Sequence, residues 1–152
     1  MALIKVSIIG AGLICLAACG YEYGKPAGAE TPQPEAVTAL ATTRQIMLGI
    51  TAPASDVVFG VGVKEPADEA EWEKIEASAI SLAESALLLK NAQRRVDAQD
   101  WLKHVDALAA ASQVAAKAAH EKNVAQVLEA GNQVYETCDA CHKEYMAARG
   151  GV

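Results

Sequence analysis

Apolar residues recur at every third or fourth position along four stretches of the chain, which is the spacing of helices that each bury one face. The predicted helices cover roughly 35–51, 68–91, 97–120 and 122–148. Pro53 interrupts the first stretch, because proline kinks or breaks a helix, and a short helical piece follows from about Ser55. Asp68 with Glu71 has the spacing of a helix cap, and Asp97 or Asp100 opens the third helix.

The connections between the last three predicted helices are short, which favours an all-α fold, an antiparallel four-helix bundle. The composition agrees, since alanine is abundant and aromatic residues make up only 5% of the chain. Trp72 and Trp101, near the starts of the second and third helices, are predicted to lie in the core.

The N-terminal sequence predicts an export signal that is not part of the folded domain. A lysine and a short apolar run precede Leu16–Cys19, and these four residues, LAAC, resemble the lipobox of bacterial lipoproteins. The alternative is an ordinary signal peptide with Cys19 incidental. We expect a signal peptide over 1–18, a lipidated flexible tether over 19–34 rich in Gly and Pro, and a folded domain over 35–152. Gly20 favours the outer membrane, so the predicted location is periplasmic and lipid-anchored.

The net charge of −6 argues against nucleic-acid binding, because 13 basic residues are scattered among 19 acidic ones without a basic face. An acidic surface of this kind serves solubility, or docking with a basic redox partner.

The pentapeptide CDACH, Cys138 to His142, carries the candidate chemistry. On a helix, Cys138, Cys141 and His142 share one face, because they are spaced i, i+3 and i+4. The spacing is that of a c-type haem attachment site. A structural zinc site would need a further ligand such as His104 or His120, and neither has finger spacing. A dithiol redox centre normally lies at a helix N-terminus, whereas this pair lies near a predicted C-terminus.

A four-helix domain with CxxCH near its end resembles the class II c-type cytochromes, and CDACHKEY, up to Tyr145, is the specific part of the match. The resemblance implies one covalently bound haem c near the C-terminal end of the last helix, held by Cys138 and Cys141, with His142 as the proximal iron ligand. It also implies a non-enzymatic carrier of single electrons whose partners are redox proteins of the periplasm or membrane. Members of this family often pair through helices, so a homodimer is one option.

Members of the family that the chain resembles differ in the residue at the sixth coordination position of the iron. Low-spin members place a methionine on the first helix, which favours Met47, and "M…PASD…F" here looks like such a subgroup. Cytochromes c′ instead place an apolar residue four positions after an arginine. Counted from Arg44, that residue is Leu48, and the iron would then be open to nitric oxide or carbon monoxide. Arg44 is also a candidate partner for a haem propionate. Gly131, on the face of the cysteines, would make room for the porphyrin or a neighbouring helix.

Overall fold

The described part of the chain, residues 38–97 and 99–146 of a computed structural model, is helical and contains no strand, which confirms the all-α prediction. Its elements are α1 (Thr43–Ile46), a π-helical segment (Met47–Thr51), α2 (Ala52–Gly60), α3 (Glu69–Leu89), α4 (Asp100–His120) and α5 (Val124–Tyr145). The predicted signal peptide, the lipidation site Cys19, the tether over 19–34 and the end of the last helix beyond residue 146 lie outside the described residues. None of the described helices is long and apolar enough to cross a membrane.

The first helical stretch differs from its prediction at both ends. In the described part of the chain it begins at Thr43, after the non-helical residues 38–42, because Thr42 and Gln45 form a reciprocal capping box that satisfies one backbone N–H group of each residue. Pro53 does not break the helix. The turn before it widens into the π-helical segment, in which the N–H of Ala52 donates to the carbonyl of Met47, five residues back. The wider turn relieves the collision that a proline ring makes with the preceding carbonyl.

Three of the remaining helix starts are fixed by polar side chains. The carboxylate of Asp68 accepts from the N–H of Glu71 at 2.9 Å, as the sequence predicted. Asp97 accepts from the N–H of Trp101 at 3.0 Å and so supports the start of α4. Asn123 accepts from the N–H of Gln126 and caps α5. Each cap satisfies a donor that the first turn of a helix leaves unpaired.

The helices bury two apolar clusters. α3 packs against α4 and α2, and α5 packs against α4 and α2. The first apolar cluster comprises Ile46, Ala54, Leu82, Ala86, Leu89, Trp101, Val105, Leu108, Ala109, Ala111 and Val134. The second apolar cluster comprises Val58, Val61, Ile75, Ala79, Ala115, Ala118, Ala119, Val127 and Ala130. Alanine contributes many of these positions, so the helix backbones can approach closely.

Polar contacts join the ends of the three long helices. The indole N–H of Trp101, at the start of α4, donates to the carbonyl of Leu89, at the end of α3, at 2.8 Å. Lys122, between α4 and α5, pairs with Glu69 at the start of α3. Trp101 is buried in the first apolar cluster, as predicted, whereas Trp72 is only half-buried and packs on the second.

Candidate functional site

The CxxCH motif lies on the last two turns of α5, which runs without interruption from Val124 to Tyr145. Cys138 and Cys141 are half-buried and free of any disulfide, and His142 is exposed. No hydrogen bond or ion pair involves the His142 imidazole among the described residues. The two thiols are therefore partly covered by the protein, while the imidazole beside them has no protein partner within the described residues and remains open to a ligand.

The buried face of α5 includes fewer residues than the apolar spacing of its sequence predicts. Val127, Gly131 and Val134 are buried, but Tyr135 is 62% exposed. Leu128 is also exposed at 40%, because the neighbouring helices cover only the centre of the stripe. His142 shares the side of α5 on which these apolar residues remain open to solvent.

Met47 lies at the edge of the same apolar cluster as Cys138. Both side chains are half-buried, and both pack against the first apolar cluster, although they are far apart in sequence. Leu48, the competing candidate, is 57% exposed and belongs to neither apolar cluster. Of the two neighbours, Met47 is the one that packs against the core.

A buried hydrogen bond that the sequence does not reveal joins the end of the π-helical segment to α3. Thr51, the last residue of the π-helical segment, donates from its hydroxyl to the Ser85 hydroxyl on α3 at 3.0 Å. Ser85 in turn donates to the carbonyl of Leu82 at 2.8 Å. Thr51 and Ser85 are both buried, so this bond sets the rotation of the π-helical segment against α3.

The last turn of α5 is attached to the start of α4. The hydroxyl of Tyr145 donates to Asp97, and its ring packs edge-to-face on Trp101 at 5.1 Å. His104 forms an ion pair with Glu144, with Nε2 and the carboxylate oxygen 2.8 Å apart. This pair and the Tyr145 ring leave His104 half-buried, whereas His120 is exposed.

Burial makes both cysteines unusually weak acids. It raises the pKa of the Cys138 thiol, and burial together with the charge of a nearby Cys138 thiolate raises the pKa of Cys141 to about 11. Both groups are therefore protonated thiols at neutral pH. A dithiol redox centre needs the opposite shift, since its attacking group is a thiolate.

Arg44 is exposed and lies in a groove with Arg94 and Arg95, between the residues that precede α1 and the loop that joins α3 to α4. Its predicted pairing with a haem propionate stays a prediction. A Cβ at Gly131 would approach Phe59 of α2 at 3.8 Å, so this glycine lies against a neighbouring helix.

Among residues 38–97 and 99–146, no group of three or more His, Cys, Asp and Glu side chains is arranged to hold a metal ion. Two thiols and an imidazole lie on the last two turns of α5, and the thioether of Met47 packs, like Cys138, against the first apolar cluster. This donor set fits a haem, because thiols form its covalent attachment, and imidazole and thioether are established axial ligands of its iron. No protein family, curated protein or solved structure matches the chain.

Proposed function

We propose that this protein is a monohaem c-type cytochrome that carries single electrons outside the cytoplasm. The observation that carries the proposal is that Met47, from the first helical stretch, and Cys138, from the last, both pack against the first apolar cluster. Cys141 and His142 occupy the same turn of α5 as Cys138. A methionine from one element facing a CxxCH motif on another is the arrangement that a haem with histidine and methionine ligands requires.

We propose an antiparallel four-helix bundle as the frame of this site. Three contacts support it: the start of α4 meets the end of α3 through Trp101 and Leu89, and meets the end of α5 through His104 and Glu144. The end of α4 meets the first half of α3 through His120 and Glu76. Each contact joins opposite ends of two helices, as antiparallel neighbours require.

In this proposal Cys138 and Cys141 would hold haem c by thioether bonds, and His142 and Met47 would bind its iron. The haem supplies a one-electron couple at its iron, and a methionine ligand raises its reduction potential. The chain's part is to hold the two ligand residues and keep water from the apolar side, which Ile46 and Val134 do by burial at 2% and 0% exposure. No acid or base step is needed, so the protein is a carrier and not an enzyme.

Exposed apolar side chains on both ligand-bearing elements support the same proposal. Leu48 and Ile50 of the π-helical segment are 57% and 37% exposed, and Tyr135 of α5 is 62% exposed. Contiguous exposed apolar side chains, unlike single ones, mark a surface that a ligand or partner covers. A porphyrin between the two elements would cover them.

Lipidation at Cys19 and the tether over 19–34 would keep the carrier at a periplasmic membrane surface, where its partners are redox proteins. The alternative is a five-coordinate protein that binds nitric oxide or carbon monoxide, as in cytochrome c′. The exposure of Leu48 and the packing of Met47 on the core favour the electron carrier.

Absorption spectra test the proposal on the full chain, exported from a host that matures c-type cytochromes. We expect low-spin spectra in both oxidation states, no reaction of the reduced protein with carbon monoxide, and haem that stays attached after denaturation. Met47→Leu should give a high-spin protein that binds carbon monoxide, whereas the control Leu48→Ala should not. A wild-type protein that binds carbon monoxide at once would establish the gas-binding alternative. A colourless protein, from a host that matures a control cytochrome, would refute the haem itself.

A further inference from the structure

We propose that the groove containing Arg44 binds the phosphate headgroups of anionic membrane lipids. The groove has a volume of about 680 Å³ and lies between residues 39–44 and the loop residues 93–96. We call it the arginine groove, after Arg44, Arg94 and Arg95, which line it. This inference goes beyond electron transfer and depends on the proposed lipid anchor only for closeness to a membrane.

The arginine groove is positively charged although the protein is acidic. Among the described residues, its lining contains three arginines and no carboxylate, in a chain whose net charge is −6. Every ion pair among residues 38–97 and 99–146 is formed by a lysine or a histidine, and none by an arginine. The arginine groove therefore attracts an anion that the described residues do not supply.

The arginines have donors left for such an anion. Arg94 donates from Nε to the carbonyl of Ala41 at 2.8 Å and from Nη1 to the carbonyl of Leu88 at 2.7 Å, which fixes one wall of the groove. Arg95 uses only Nε, which donates to a backbone carbonyl at 2.7 Å. The guanidinium of Arg44 makes no hydrogen bond within the described residues. Guanidinium groups with free paired N–H donors match the geometry of phosphate oxygens.

Two apolar side chains at the arginine groove favour a lipid headgroup over an isolated anion. Leu40 is 97% exposed and Val96 is 51% exposed, and both line the groove. Cationic side chains beside exposed apolar ones are the combination that binds a membrane interface, since the former meet phosphates and the latter enter the acyl boundary.

The position of the arginine groove along the chain also favours a membrane lipid as its ligand. The arginine groove is lined by residues that begin at Ala39, directly after the segment that leads back to Cys19. A lipid on Cys19 would bring this part of the domain repeatedly to the headgroups, so even weak contacts would be occupied.

The test uses the mature full chain with its lipid, placed in vesicles of phosphatidylcholine alone or mixed with phosphatidylglycerol. Phenylglyoxal modification of Arg44 and Arg95 is followed by peptide mass spectrometry. We expect modification on the order of fivefold slower in the anionic vesicles, an effect that added salt removes. The control Lys74→Gln with Lys117→Gln removes two exposed charges elsewhere and should keep the protection, whereas Arg44→Gln should weaken it at Arg95.

Three results would overturn the proposal. If phenylglyoxal modifies Arg44 and Arg95 equally fast in both vesicle types, the arginine groove meets no headgroup. If both arginines are equally protected in both vesicle types, a haem propionate fills the groove. Protection by inorganic phosphate in phosphatidylcholine vesicles, to the same degree, means a free anion. A chain that stays in the supernatant shows that the anchor is missing, and cosedimentation with the two vesicle types then decides the inference. The haem absorbance of each sample reports separately on the electron-carrier proposal.

Discussion

The hydrogen bond between Thr51 and Ser85 gives the most direct test of how the Met47 side of the site is held. Thr51→Val keeps the shape and branching of the side chain and removes only the hydroxyl that donates to Ser85 at 3.0 Å. Ser85 keeps its own donated bond to the Leu82 carbonyl, so no buried donor is left unpaired. The loss is therefore that of one buried hydrogen bond, about 1 kcal/mol of unfolding free energy.

For a unit spanning Ala36–Val152, that loss lowers the melting temperature by roughly 4 °C. The assay is thermal unfolding followed by circular dichroism, in a double-mutant cycle of Thr51→Val, Ser85→Ala and both together. We expect a coupling energy of about 1 kcal/mol between the two sites. The control Thr137→Val removes a hydroxyl that bonds only within its own helix, to the carbonyl of Gln133, and should change stability little.

A coupling energy of zero within error would refute the argument that this bond fixes the π-helical segment. In the haem-loaded protein, Thr51→Val should also loosen Met47 and so raise the fraction that binds carbon monoxide. If stability falls but that fraction does not change, the bond stabilises the fold without positioning the ligand.

Two further substitutions and one thiol-labelling experiment have outcomes that follow from the local geometry. Gly131→Ala should raise the unfolding free energy by up to about 1 kcal/mol, measured by urea unfolding, because its Cβ meets α2 at an ordinary 3.8 Å and alanine favours a helix. In haem-free protein, iodoacetamide should react more slowly with Cys138 and Cys141 at pH 8 than with a free thiol, since burial raises each pKa. The pKa of Asp97 is lowered by hydrogen bonds from the Trp101 N–H and the Tyr145 hydroxyl, so its stabilising contribution is present above the unfolded pKa and disappears as pH falls through the folded one. Asp97→Asn should therefore destabilise the protein at neutral pH and not in strong acid.

Helix positions followed from the sequence wherever apolar spacing and a capping residue acted together. The long helices α3, α4 and α5 lie within the predicted ranges, because each combines a buried stripe with a polar residue at its start. The first stretch was predicted less well. The apolar spacing continues before Thr43 in the sequence, and spacing alone does not show that the N-cap at Thr42 sets the start of the helix. The π-helical turn before Pro53 arises from a backbone adjustment that side-chain periodicity does not encode.

The candidate site was predictable only where its residues are neighbours in sequence. Cys138, Cys141 and His142 share a helix face because of their spacing, so the five-residue CxxCH motif is enough to identify them. The pairing of His104 with Glu144 joins two helices through polar side chains, and nothing in either local sequence indicates it. Met47 could be separated from Leu48 only after the fold showed which of the two faces the core.

The two sides of the proposed haem site are held in different ways, and this difference bears on function. The cysteine side belongs to a continuous helix whose last turn is fixed to α4 by Tyr145 and by the ion pair of Glu144. The methionine side belongs to a π-helical segment with a buried hydrogen bond from Thr51 and an adjacent proline. Because π-helical turns have fewer regular constraints than α-helical ones, a change of iron coordination would begin on the methionine side. An electron carrier requires that side to stay closed in both oxidation states, so the Thr51–Ser85 bond is where we expect the choice between electron transfer and gas binding to be decided.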